Sequence, residues 1–220
     1  MAFGPADGTI GDTVDCVRTM IEDIRTAFAR TGATTGLTVP SPAVEAAMSK
    51  VDRSRFVPSD IAKSAWDDRA LGIGFGATIS QPFIVALMTS LAAVTPGDRV
   101  LEVGCGSGYQ AAVLAELGAQ VFSLEIVPQL RNRSARRLME LGYSDIRVVH
   151  GDGWGGLAEE APFDAIVVTA CAPSVPVELT KQLAVGGRLV LPVGEDGPEQ
   201  HSSWFARTTR ATSADGWSWR

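Results

Sequence analysis

The chain has 220 residues, 45% of them hydrophobic and 20% charged, which fits a globular protein of one domain or one domain with an appendage. A formal charge of −6 and an isoelectric point near 5.0 argue against binding a nucleic-acid backbone, which needs a positive footprint. Three cysteines without a C-x-x-C pair and two histidines without ligand spacing argue against a disulfide framework and a metal site. The chain shows no run apolar enough to span a membrane and no secretory pattern, so a cytoplasmic location is expected.

Residues 1–10 are small and polar and are expected to fray. Over 13–30, Val14, Val17, Ile21, Ile24 and Phe28 recur at helical spacing, and a Gly/Thr loop follows. Ser41-Pro42 with Glu45 opens a helix to about Lys50. Residues 55–58 read as extended, and Asp60 is expected to cap another short helix. Residues 66–81 are glycine-rich and read as an irregular functional loop. Pro82 opens a helix to about Ala93, with Ser80 where a cap belongs. Beyond it, strands at 99–103, 120–126, 146–150, 163–168 and 187–192 alternate with helices near 108–117, 127–141 and 175–184. This predicts an α/β fold: a Rossmann-like, doubly wound, mostly parallel sheet with helices on both faces. A helical extension over 1–65 would precede a ligand-binding domain over 66–220. Arg131, Arg133, Arg136 and Arg137 cluster at helical spacing and read as a solvated face.

The first strand of this series runs into Gly104-Cys-Gly-Ser-Gly108 and then a helix. Such glycines allow positive φ and close backbone approach to a ligand, with helix-start N–H groups aimed into the turn. The spacing is G-x-G-x-G, not the G-x-G-x-x-G of dinucleotide binders. Glu102 precedes the turn, and Glu125 ends the next strand about 20 residues on, where a ribose-binding carboxylate belongs. A nucleoside cofactor without a pyrophosphate fits these features, which points to S-adenosylmethionine. The alternative is an ordinary βα turn.

Asp152, in Gly-Asp-Gly after the third strand, could accept from an adenine amino group or simply make a turn. Thr78 and Ser80, next to a helix start, could hold a carboxylate, although capping alone accounts for a serine at Ser80. With no histidine near Ser80 in the sequence, a Ser-His-Asp hydrolase is disfavoured. Thr169 and Ala170 end the fourth strand with room for a substrate. Cys171 has no evident base and reads as packing, as do His150 and Trp154, Trp204, Trp217 and Trp219.

Taken together, these motifs resemble the protein-L-isoaspartate O-methyltransferase family. The matching pieces are Val-Asp-Arg-Ser-Arg-Phe-Val-Pro at 51–58, Gly-Phe-Gly-Ala-Thr-Ile-Ser-Gln-Pro at 74–82, the stretch from Pro96 through the glycine turn to Leu114, Leu-Gly-Tyr at 141–143, Gly-Asp-Gly at 151–153, 161–170 and 186–194. The resemblance implies methyl transfer from S-adenosylmethionine to the carboxylate of L-isoaspartyl residues in damaged proteins, leaving S-adenosylhomocysteine. It implies a monomer acting on isoaspartyl peptides and proteins, with no nucleic-acid, membrane or metal partner. Ser80 matches the active-site serine. The expected cofactor set is Thr78, Ile79, Glu102, Gly104, Cys105, Gly106, Gly108, Glu125, Ile126, Asp152, Gly153 and Thr169, and the expected substrate set is Ile73, Gly74, Ala77, Ser80, Thr169 and Ala170. A carboxylate is already ionised at neutral pH, so such a reaction needs alignment and no general base.

Two departures stand out. Ala77 replaces the family's usual Gln, and the chain stops where family members continue into a final strand, so a shortened sheet with an exposed edge is expected. A methyltransferase for aspartate in one dedicated peptide, or a non-catalytic cofactor-binding relative, remains an alternative. A nicotinamide dehydrogenase is disfavoured by the turn spacing.

Overall fold

Apolar strands alternating with helices after residue 95 build one mixed sheet, preceded by a helical segment and a small hairpin. The computed structural model describes residues 10–194, 206–213 and 216–219, with side chains over 13–194. The described residues begin with α1 (Ile10–Thr35) and α2 (Pro42–Lys50), then two 3-10 turns, Arg53–Phe56 and Ser59–Ser64. A hairpin follows, β1 (Leu71–Gly74) with β2 (Ala77–Ile79), and then α3 (Pro82–Ala92). The sheet strands are β3 (Arg99–Val103), β4 (Gln120–Glu125), β5 (Arg147–His150), β6 (Phe163–Val168), β7 (Leu183–Pro192), β8 (Ala206–Ser213) and β9 (Gly216–Trp219). Between them run α4 (Tyr109–Glu116), α5 (Pro128–Glu140) and α6 (Val177–Lys181).

The sheet order is β5-β4-β3-β6-β7-β8-β9. The first five strands are parallel, and β8 and β9 are antiparallel. The winding reverses beside β3, so the crevice outside the carboxyl ends of β3 and β6 is the switch point where such sheets bind ligands. Strand alternation divides the core. Val100, Val121, Val148, Ala165, Val167 and Val190 face a layer that includes α1 to α5. Leu101, Phe122, Phe163, Ile166 and Leu189 face the other side, with Leu157 and Leu179.

Several elements differ from the periodicity reading. Residues 66–81 are not wholly irregular: the hairpin closes through Phe75 (φ 57) and Gly76 (φ 75), the double positive φ of a type I′ turn. Asp60 does not cap its helix; it lies within the first turn, and the flanking residue is Pro58. α6 spans five residues because β7 already begins at Leu183. Gly186 (φ 83) lies within β7, and a Cβ at Gly187 would meet the Ala184 carbonyl at 2.8 Å, so the glycine pair kinks the strand without ending it. The antiparallel β8 and β9 extend the sheet beyond the five strands predicted. The frayed start, His201 and Trp204 lie outside the described residues, as do the side chains of Trp217 and Trp219.

The N-terminal segment shares the sheet's core: Phe28 of α1 is fully buried and meets Phe83 of α3 edge-on, with ring centroids 5.5 Å apart. Phe28→Ala is expected to lower unfolding free energy by about 3–5 kcal/mol while keeping a single transition in urea. A loss below about 1 kcal/mol would show that α1 packs only loosely.

Candidate functional site

The turn after β3 sets the floor of the crevice. Gly104, Gly106 and Gly108 all have positive φ, at 97, 52 and 90. A Cβ on Gly104 would collide with the Thr169 hydroxyl, so only glycine fits there. That hydroxyl lies 2.6 Å from the Gly104 carbonyl and 3.1 Å from that of Val103, joining the ends of β3 and β6. Gly104 and Cys105 N–H both donate to the Leu124 carbonyl.

Glu125 sits at the end of β4, 5% exposed. Its Oε2 accepts from the Gly106 N–H at 2.8 Å and its Oε1 from the Val127 N–H at 2.9 Å. The carboxylate therefore shapes the turn and keeps lone pairs for two further donors, such as a ribose diol. The next residue, Ile126, is 61% exposed, and Trp154, in the turn after β5, is 49% exposed. Asp152 Oδ1 accepts from the Trp154 N–H at 3.0 Å, so the Asp-Gly turn is real, while its Oδ2 makes no hydrogen bond among the described residues. Gly153 lies against Val103, where a Cβ would clash, which draws this turn onto the end of β3. A cradle without Cβ atoms, an acidic residue and exposed apolar surface at the strand ends fit a nucleoside.

Glu102 and Cys105 are placed differently from the expectation. Their side chains are buried beneath the turn and do not reach the crevice. Glu102 Oε2 accepts from the Ser123 hydroxyl, and Oε1 has no hydrogen-bond partner among the described residues. Burial first, and then the Glu125 charge, push the Glu102 carboxyl up to about 8. The Cys105 thiol donates to Ser134 Oγ at 3.2 Å and is pushed up to about 12 by burial and by Glu102, so it is no nucleophile. Both residues can serve a cofactor only through their backbone or by supporting the turn.

The hairpin forms the neighbouring wall. Ile73 Cδ1 lies 3.5 Å and the Thr78 carbonyl 4.0 Å from where a Cβ of Gly106 would be, so the expected substrate loop abuts the expected cofactor turn. Gly74 and Ala77 pair at the hairpin end, Ala77 packs toward the core, and Ile79 is buried. Ala170 is exposed just beyond Thr169. Ser80 is half-buried but caps nothing: α3 begins after Gln81, and the Phe83 N–H is taken by Asp68 Oδ1 at 2.8 Å. Asp68, not Ser80, thus takes this N–H at the start of α3.

Sequence reasoning missed Asp68, Arg53 and the α5 arginines. Arg137 donates to the Ser107 carbonyl in the turn at 2.7 Å, Arg133 to the Ile73 carbonyl, and Arg131 to the Val148 carbonyl at 3.0 Å. Only Arg136 keeps the expected solvated character, reaching Glu140 at 3.9 Å. The signal was present in the motif at 51–58 and in the arginine spacing, but spacing does not tell an arginine in water from one gripping a carbonyl.

A glycine cradle, a strand-end acid and a serine loop against the turn define a methyltransferase of the Rossmann-like class. A match to the family described as Protein-L-isoaspartate(D-aspartate) O-methyltransferase (PCMT) covers residues 32–215, and the chain belongs to that family. It is 55% identical over 170 residues to a protein-L-isoaspartate O-methyltransferase of Gloeobacter violaceus, covering 77% of this chain and 83% of the relative. A solved protein-L-isoaspartate O-methyltransferase superposes with a TM-score of 0.69 at 28% identity, over 86% of this chain and 58% of that one. A Plasmodium falciparum structure titled as such a putative enzyme, in complex with S-adenosyl-L-homocysteine, shares the fold at a TM-score of 0.71 and 24% identity, over 91% of this chain and 94% of that one.

Gly104→Ala is expected to weaken S-adenosylhomocysteine binding at least about tenfold by calorimetry, because the new methyl displaces Thr169 and strains a positive φ. Unchanged affinity would detach the turn from the cofactor. Glu102 predicts a pH effect. Its folded-state value lies above the unfolded one, so its stabilisation is full below the ordinary carboxylate range and is lost as pH rises to about 8. Glu102→Gln is expected to flatten the decline in unfolding free energy over that range; an unaltered slope would contradict the buried protonated acid.

Proposed function

We propose that this protein transfers a methyl group from S-adenosylmethionine to the free carboxylate of L-isoaspartyl residues in peptides and proteins, acting as a cytoplasmic monomer. The observation that carries this reading is the hairpin that leads into Ser80 lying against the glycine turn, with the Ile73 side chain and the Thr78 carbonyl next to Gly106. When bound, S-adenosylmethionine supplies an electrophilic sulfonium methyl. Glu125, already held by two backbone N–H groups, offers its remaining lone pairs to the ribose. Asp152 stands ready for the adenine amino group, with Ile126 and Trp154 as exposed apolar neighbours. The Gly104 to Gly108 backbone approaches the methionyl portion. Ser80 orients the substrate carboxylate by its hydroxyl. It attacks nothing, since the carboxylate is itself the nucleophile and is ionised at neutral pH. Alignment is the main catalytic contribution, and positioning can supply about 7–11 kcal/mol. We further propose that 1–65 serves as a cap over the domain formed by 66–220, and that Ala77 leaves the hairpin with one polar substrate contact fewer.

The test is methyl transfer from labelled S-adenosylmethionine to paired peptides differing only in isoaspartate or aspartate, with Ser80→Ala in parallel. The expected result is label in the isoaspartyl peptide alone, with kcat/KM reduced about 10- to 1,000-fold in Ser80→Ala, equivalent to roughly 1.4–4 kcal/mol. Label in an aspartyl peptide would favour a dedicated substrate. Cofactor binding without transfer would favour a non-catalytic relative.

A further inference from the structure

Arg53 is the largest fully buried side chain outside the cofactor turn, and no carboxylate forms an ion pair with it among the described residues. It opens a 3-10 turn whose start is fixed by Asp52, which accepts from the Ser54 N–H at 3.0 Å and the Ser54 hydroxyl at 2.6 Å. From this base the guanidinium meets three segments far apart in sequence. Nε donates to the Ala65 carbonyl at 2.7 Å, and Nη2 donates to the Ser80 carbonyl at 2.8 Å. Its carbon lies 4.9 Å from the centre of the Tyr109 ring. Tyr109 is the first residue of α4, directly after Gly108, and its ring also meets Phe56 edge-on at 5.5 Å.

A buried charge is costly, and packing alone is better served by an apolar side chain. What an apolar residue lacks is a planar fork that grips two carbonyls while stacking on a ring. We propose that Arg53 is a positioning residue for methyl transfer: it fixes the Ser80 peptide against the start of α4, and so sets the Ser80 hydroxyl relative to the cofactor turn. Its hold on the Ser80 carbonyl restricts the 80–81 peptide plane. Asp68 restricts the following turn through the Phe83 N–H. Ser80 is thus clamped from both sides, while its own hydroxyl makes no hydrogen bond among the described residues. The functional part of this inference rests on the isoaspartyl reading above.

Lysine keeps the charge of Arg53 but not the fork, and methionine keeps neither. In the full chain, Arg53→Lys is expected to bind S-adenosylhomocysteine within threefold of the wild type and to lower kcat on an isoaspartyl peptide at least tenfold, with a smaller change in KM. Arg53→Met is expected to lower kcat further and to reduce the thermal midpoint. Amide spectra test the positioning without any peptide: in the S-adenosylhomocysteine complex, Arg53→Lys must shift the Ser80 and Gln81 resonances more than that of Gly106. Wild-type kcat in Arg53→Lys, a parallel fall in kcat and cofactor affinity, or unmoved Ser80 and Gln81 amides would each overturn the proposal. A wild type that labels no isoaspartyl peptide would refute the substrate reading instead, and the amide shifts would still decide the role of Arg53.

Discussion

The hydroxyl of Thr169 occupies the space that a side chain on Gly104 would need. That close approach joins β3 to β6 at the reversal of the sheet, and the remainder of the site is arranged around it. The turn leaves β3 at a positive φ, its next N–H groups are taken by the Leu124 carbonyl and by Glu125, and the hairpin closes over Gly106. A larger residue at Gly104 would disturb both strand ends at once, because interiors packed to native density have little slack. The proposed cofactor cradle and the proposed substrate wall are therefore two sides of one close-packed turn.

The walls are held largely by arginines gripping carbonyls. Arg53 holds Ala65 and Ser80, Arg137 holds Ser107, Arg133 holds Ile73 and Arg131 holds Val148. Carbonyls in loops and on edge strands such as β1 and β5 can lack ladder partners and must then be satisfied elsewhere. Long cationic side chains reach them from neighbouring elements and also fix where the loops lie. Beneath the turn, Glu102, Ser123, Cys105 and Ser134 form a second polar layer in which the acid is kept protonated at neutral pH by burial. Arg53, Arg137 and the four polar residues beneath the turn are buried, while Arg131 and Arg133 are half-buried.

The parallel strands were legible because each is an apolar run bounded by glycine, proline or acidic residues, and Gly104 to Gly108 and Glu125 occupy the strand ends their spacing predicts. The hairpin at 71–79 was not legible: its strands are three or four residues long, and its turn places Phe75 at a positive φ that sequence does not announce. The role of Ser80 as a cap was a local inference overridden by Asp68, twelve residues earlier, whose carboxylate arrives through tertiary folding. Glu102 looked like a cofactor ligand by position, but strand alternation turns it beneath the sheet's turn, beside Ser123. The arginines of α5 share one helical spacing, and only the fold reveals that three of them reach carbonyls on other elements.

The decisive measurement is a crystal structure of the protein with S-adenosylhomocysteine and an isoaspartyl peptide. The ribose is expected on Glu125, the isoaspartyl carboxylate within hydrogen-bond distance of Ser80 Oγ, and Arg53 still bonded to the Ser80 carbonyl. A peptide bound away from the hairpin, or a cofactor that leaves Glu125 without a ribose contact, would contradict the proposed site.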